Sequence, residues 1–116
     1  MIITEKNEGP KIPYSVRGTK VTFNDDLTLN LASREQDWPV HIDICFDEDN
    51  ALVIGASVGR AYVAQIDIPA RQYEAVEIEG EATEGGEGEE TRRVPIALDM
   101  DTVTLTLWSI ELRGND

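Results

Sequence analysis

Apolar residues recur at every second position of this chain, in about eight short segments separated by turn-forming residues. A period of two puts alternate side chains on opposite faces of an extended strand, so the pattern specifies half-buried strands rather than amphipathic helices. The longest segment places Trp38, Val40, Ile42, Ile44 and Phe46 on one face and Pro39, His41, Asp43, Cys45 and Asp47 on the other. The first set is expected in the core.

The same alternation runs through Val21–Phe23 and Leu27–Leu31, and Asn24-Asp25-Asp26 between them suits a hairpin, because Asn and Asp tolerate left-handed backbone. Asp47–Asn50 reads as a turn into a more uniformly apolar strand at 51–56, and Ser57–Arg60 as a turn into Tyr62–Ile68. Weaker alternation covers Tyr73–Glu79 and Val94–Leu98, and a last strand is expected over Thr102–Leu112. No segment sustains a helical period; Ala70–Val76 has room for one helical turn. The expected fold is all-β, with about eight mostly antiparallel strands in a β-sandwich or barrel.

A chain of 116 residues fits one domain. Residues 1–10 are polar, close on Gly9-Pro10 and read as a flexible N-terminal arm, leaving 11–116 as a single β domain. Within it, residues 79–90 hold six Glu and four Gly with no basic residue, a composition too charged and too costly to order, so 80–90 is expected to be a flexible acidic loop. A docking segment for a basic partner is the alternative reading of that loop.

The balance of 23 acidic against 10 basic side chains gives a net charge of −13. Such a surface repels phosphate backbones and anionic headgroups, which argues against nucleic-acid and membrane partners. One acidic role stays open, imitation of nucleic acid toward a protein that binds it. The first ten residues lack the apolar stretch of a signal peptide, and no apolar run approaches the roughly 20 residues of a membrane helix. The expected location is the cytoplasm, or a virion assembled there.

Candidate chemistry is sparse. His41 is the single histidine and Cys45 the single cysteine, so no disulfide framework forms and any Ser-His-Asp or Cys-His site must use His41. His41 shares a strand face with Asp43 and Cys45, but positions four apart on a strand stand about 13 Å apart, too far for imidazole to activate the thiol. Two Cys/His residues do not make a structural zinc site. The acidic turns Asp47–Asn50 and Asp99–Asp101 lack the EF-hand spacing and are explained by carboxylates capping their own backbone. Gly55–Arg60 lacks both the Gly-Lys-Ser/Thr ending of a phosphate loop and a following helix. No catalytic, cofactor-binding or metal-ligating residue is assigned. The aromatics Tyr14, Phe23, Trp38, Phe46, Tyr62, Tyr73 and Trp108 are expected mostly in the core, since two tryptophans 70 residues apart do not make a sugar-stacking row.

The final strand carries one irregularity. Val103, Leu105 and Leu107 share a face opposite Thr102, Thr104 and Thr106, and then Trp108, Ile110 and Leu112 continue on the threonine side. Either a bulge near Leu107-Trp108 returns Trp108 to the core, or the outer face carries a second apolar patch. The second case makes Trp108, Ile110 and Leu112 a candidate interface for a homo-oligomer or a protein partner.

The stretches Ile68–Tyr73 and Pro95–Trp108 resemble short uncharacterised proteins of bacterial phages and prophages, over about a fifth of the chain. The resemblance implies a small structural or accessory protein of a phage particle and carries no site residue with it. The leading expectation is a non-enzymatic interaction domain acting by self-association or attachment to a larger assembly. A small-ligand or carbohydrate-binding β-domain is the alternative, with an enzyme third.

Overall fold

In a computed structural model of the chain, residues 1–56, 61–77 and 91–110 are described. They form ten strands, two short 3-10 turns and no α-helix, so the all-β expectation holds. The strands are β1 (Ile2–Glu5), β2 (Tyr14–Arg17), β3 (Lys20–Phe23), β4 (Leu27–Asn30), β5 (Val40–Phe46), β6 (Leu52–Ile54), β7 (Ala61–Ile68), β8 (Tyr73–Glu77), β9 (Thr91–Pro95) and β10 (Thr104–Leu107). The 3-10 turns span Ala32–Arg34 and Met100–Thr102. The helical turn allowed at Ala70–Val76 is instead taken up by β8.

Three sheets result: a five-stranded sheet in the order β1-β10-β7-β5-β6, a three-stranded sheet β2-β3-β4, and the ribbon β8-β9. None of them closes into a barrel. All pairings are antiparallel except β1 with β10, which is parallel. The hairpin between β3 and β4 turns as its sequence indicates, with Asn24 and Asp25 at φ 55° and 53°.

One core joins the two larger sheets. Val21, Phe23, Leu29 and Leu31 from the three-stranded side, with Ile12, cluster with Ile42, Ile44, Val63, Ala64, Ile66, Ile68, Val103, Leu105 and Leu107 of the five-stranded side. Burying each large apolar side chain contributes about 1.5–3 kcal/mol, so this alternation is the main stabilising feature of the fold.

Four expectations need correction. Residues 1–10 do not fray as a whole, since Ile2–Glu5 form an edge strand on β10. The segment is polar, but backbone bonds hold it: Ile2 N–H to Val103 O at 2.8 Å, Lys6 N–H to Leu107 O at 2.8 Å and Ile110 N–H to Pro10 O at 2.8 Å. Trp38 leaves the core face and is 62% exposed, because the strand begins only at Val40, after Pro39. Tyr62, expected on the core face with Ala64, turns to the outer face because the β5–β7 register shifts between Ile44 and Cys45; Cys45, opposite Tyr62, is on the outer face as its parity requires, but only 2% exposed. The aromatics are not mostly core: Phe23 is buried, while Tyr14, Trp38 and Tyr62 are exposed. The acidic loop at 80–90, the turn at 57–60 and Leu112 lie outside the described residues.

Candidate functional site

The outer face of the five-stranded sheet, turned away from the core, carries a continuous chain of polar contacts. It is assembled by register: His41 pairs with Asp67 and Asp43 with Gln65 across β5 and β7, and Asp67 and Gln65 pair with Thr104 and Thr106 across β7 and β10. Alternation then puts all six side chains on one side.

His41 is the centre of this strip. Its Nδ1 stands 2.6 Å from Asp67 Oδ1 and its Nε2 2.8 Å from Asp43 Oδ1. Ionised carboxylates only accept, so the arrangement is fully satisfied when both ring nitrogens donate, that is, by the imidazolium form of His41. Its pKa is raised above the ordinary value, chiefly by the bond to Asp67; burial opposes the rise and Asp43 adds to it. Gln65 extends the chain, donating from Nε2 to Asp43 Oδ1 at 2.9 Å and accepting at Oε1 from the Trp108 indole N–H at 2.9 Å. The Gln65 bond is the main reason the Asp43 carboxyl is held below its ordinary pKa.

Trp108 follows strand parity past the end of β10, on the same side as Thr104 and Thr106. Its ring stacks on Tyr62 with centroids 4.9 Å apart and planes 24° apart, and Lys6 Nζ lies 5.5 Å from the ring centroid. These neighbours leave Trp108 half-buried, and Ile110 is half-buried against the core. Of the three candidate interface residues, Trp108 belongs to the outer face and Ile110 packs inward.

Cys45 lies opposite Tyr62, apart from the core cluster, and burial pushes its thiol pKa up. Hydrogen bonds of His41 go to carboxylates rather than to this sulfur. The acidic turns use their carboxylates on the backbone: Asp47 Oδ1 accepts from Asp49 N–H at 2.8 Å and Ala51 N–H at 3.0 Å, and Asp99 Oδ1 from Asp101 N–H at 3.0 Å.

A second polar cluster sits where the chain leaves β7 for the ribbon. Arg71 donates from Nη2 to Glu35 O at 2.8 Å and from Nη1 to Asp37 Oδ1 at 3.3 Å, and Tyr73 Oη donates to Asp37 Oδ1 at 2.6 Å. Arg93 lies over the Tyr73 ring at 4.8 Å. Asp37, Arg71, Tyr73 and Arg93 line an open cleft of about 530 Å³.

Sequence reasoning singles out His41, Asp43 and Trp108 but misses Gln65, Asp67 and Lys6, and misses the Arg71 cluster altogether. A usable signal exists in β7, where Gln65 and Asp67 alternate with Ala64, Ile66 and Ile68 just as His41 and Asp43 alternate with Ile42 and Ile44. The chain matches no protein-family model, no curated protein and no solved structure. Among the described residues no helix is long and apolar enough to cross a membrane.

Proposed function

We propose that this chain is a non-enzymatic interaction domain, a two-layered β-sandwich that self-associates or attaches to a larger assembly through the outer face around Trp108. One observation carries the reading: the central polar groups of that face, from His41 to Trp108, are engaged with one another. Both ring nitrogens of His41, both ends of the Gln65 amide and the indole N–H of Trp108 are engaged within the strip. Bonding atoms consumed within the strip leave packing area around Trp108 more than chemistry, and the half-buried Trp108 with the exposed Tyr62 and Ile2 supply apolar area. Trp and Tyr are the side chains that most often concentrate binding energy at an interface. The resemblance to phage and prophage proteins extends the proposal to a structural or accessory part of a phage particle.

Light scattering after size exclusion tests self-association. The expected result is a mass above the 12.9 kDa of one chain for wild type and a folded 12.9 kDa species for Trp108→Ser. A monomeric wild type that also captures no partner on crosslinking in native lysate removes the proposal.

The small-ligand reading has its own observation, the cleft lined by Asp37, Arg71, Tyr73 and Arg93. Thermal-shift screening of a sugar and metabolite panel against wild type and Arg93→Ala decides for or against it.

A further inference from the structure

The hydrogen-bonded strip on the outer face connects a titratable ring to a surface indole through one carboxylate and one amide. Asp67, His41, Asp43, Gln65 and Trp108 follow one another with contacts of 2.6, 2.8, 2.9 and 2.9 Å. Only a doubly protonated His41 satisfies both of its carboxylates, because a ring nitrogen that has lost its proton presents a lone pair to an acceptor. Neutral His41 must therefore break or lengthen one of the two contacts.

The amide of Gln65 is placed to respond. Its Nε2 donates to Asp43 and also stands 3.5 Å from His41 Nε2, the nitrogen that acquires a lone pair if the proton on the Asp43 side leaves. That side is the one to open, since His41 keeps its shorter contact to Asp67 while the amide becomes a donor for the vacated nitrogen. Turning the amide toward His41 moves Oε1, which holds the Trp108 N–H.

We propose that these five residues form a proton-sensitive relay, in which loss of the His41 proton shifts the Gln65 amide and resets the hydrogen bond and placement of Trp108. The ionisable groups acting on His41 are Asp43 from β5 and Asp67 from β7. The segment leading into β10 faces the same surface depression with Thr102 and Thr104, neither of which titrates in this range. The unperturbed histidine changes charge near neutral pH, and the bonds to Asp67 and Asp43 move that change in His41 upward, so the relay switches on the alkaline side of 6.5. It stands whether or not Trp108 lies in an interface.

The test is a pH titration of the full chain from 5 to 9 followed by two-dimensional ¹H–¹⁵N spectra of the indole N–H groups and by the His41 ring protons. Trp38→Phe assigns the two indole signals. The expected result is a single-step shift of the Trp108 N–H with the same midpoint as the His41 ring, above its ordinary value near 6.5, while Trp38 stays still. In Gln65→Met, His41 still titrates and the Trp108 step is lost. A Trp108 signal flat across the His41 titration overturns the proposal without any variant, and so does a midpoint that differs from that of His41. A step that persists in folded Gln65→Met overturns the amide's part in it.

Discussion

Cys45 pairs with Tyr62 across the sheet, whereas the preceding residue, Ile44, pairs with Ala64. The register therefore skips Val63, and this one irregularity sends Val63 into the core beside Ala64 while aiming Tyr62 at Trp108. It also leaves the Cys45 thiol buried, with its pKa raised first by that burial and then by the nearby Asp43 charge. A thiol held neutral and out of solvent is a poor nucleophile.

The expected behaviour of Cys45 is negligible reaction with a disulfide reagent in the native protein and full reaction in denaturant. Cys45→Ser exchanges a weakly polar group for a hydroxyl at a buried position, and is expected to cost about 1–3 kcal/mol in urea unfolding where the hydroxyl finds no partner. Cys45→Ala tests the same position without the polar cost and should be milder. Rapid native labelling would show that the site opens.

The His41 strip sets a pH window for stability. His41 has its folded pKa raised, so its contribution is fully present below about 6.5, the unfolded value, and is lost as pH rises through the folded one. Asp43 has its folded pKa lowered, so its contribution is present above 3.8 and is lost as pH falls through the folded value. His41 has a side chain 49% exposed, and solvent screening keeps the gain at about 1 kcal/mol or less. Urea midpoints of wild type and His41→Gln should therefore differ most between pH 5 and 6 and converge at alkaline pH. A difference that grows with pH would contradict the imidazolium assignment.

The strand faces are legible in the sequence because alternation survives wherever the pleat is regular. Ile42 and Ile44, Ile66 and Ile68, and Leu105 and Leu107 all face the core as their parity requires. Parity misleads where a strand is shorter than its pattern or interrupted, as at Trp38 before Pro39 and at Tyr62, which the register shift turns outward while Val63 enters the core. It also omits the backbone, which is what fixes Ile2–Glu5 as a strand despite their exposed side chains. The outer strip is half legible for a related reason. His41 and Asp43 are visible on one face of their strand, but Asp67 is 26 residues away and becomes a neighbour only through register, which alternation does not encode.

Gly9 is a point where the N-terminal segment depends on a missing side chain. Its φ is 131°, and a Cβ placed there would lie 2.8 Å from the Cβ of Ser109. Ser109 is itself tied to the segment, its N–H donating to Asn7 Oδ1 at 2.7 Å. Gly9→Ala combines backbone strain with a collision and is expected to cost about 1–3 kcal/mol. Amide exchange should accelerate at Ile2 and Lys6, whose N–H groups bond to Val103 and Leu107, before it does in β5 or β7. Gly18 has φ 61° and open space for 4 Å around the position a Cβ would take, so Gly18→Ala is the control in which strain acts without the clash.

Arg71 clasps the segment before β5 to the strand exit of β7. Its backbone N–H donates to Gln36 O at 2.7 Å, and its guanidinium donates to Glu35 O and Asp37 and forms an ion pair, at 3.6 Å, with the carboxylate of Glu35. The Glu35 side chain is 9% exposed, so removing the cation strands a buried carboxylate as well as an unpaired carbonyl. Arg71→Ala is expected to cost about 1–3 kcal/mol by urea unfolding. Arg71→Lys should recover only part, because one ammonium does not reproduce a planar fork reaching three acceptors. The double variant Arg71→Ala/Glu35→Gln separates the two penalties: if the stranded charge dominates, it is more stable than Arg71→Ala alone. If the double variant is less stable by the full cost of Glu35→Gln, the two side chains are uncoupled, and the clasp is held by the backbone bond from Arg71 to Gln36 and the guanidinium bond to the Glu35 carbonyl.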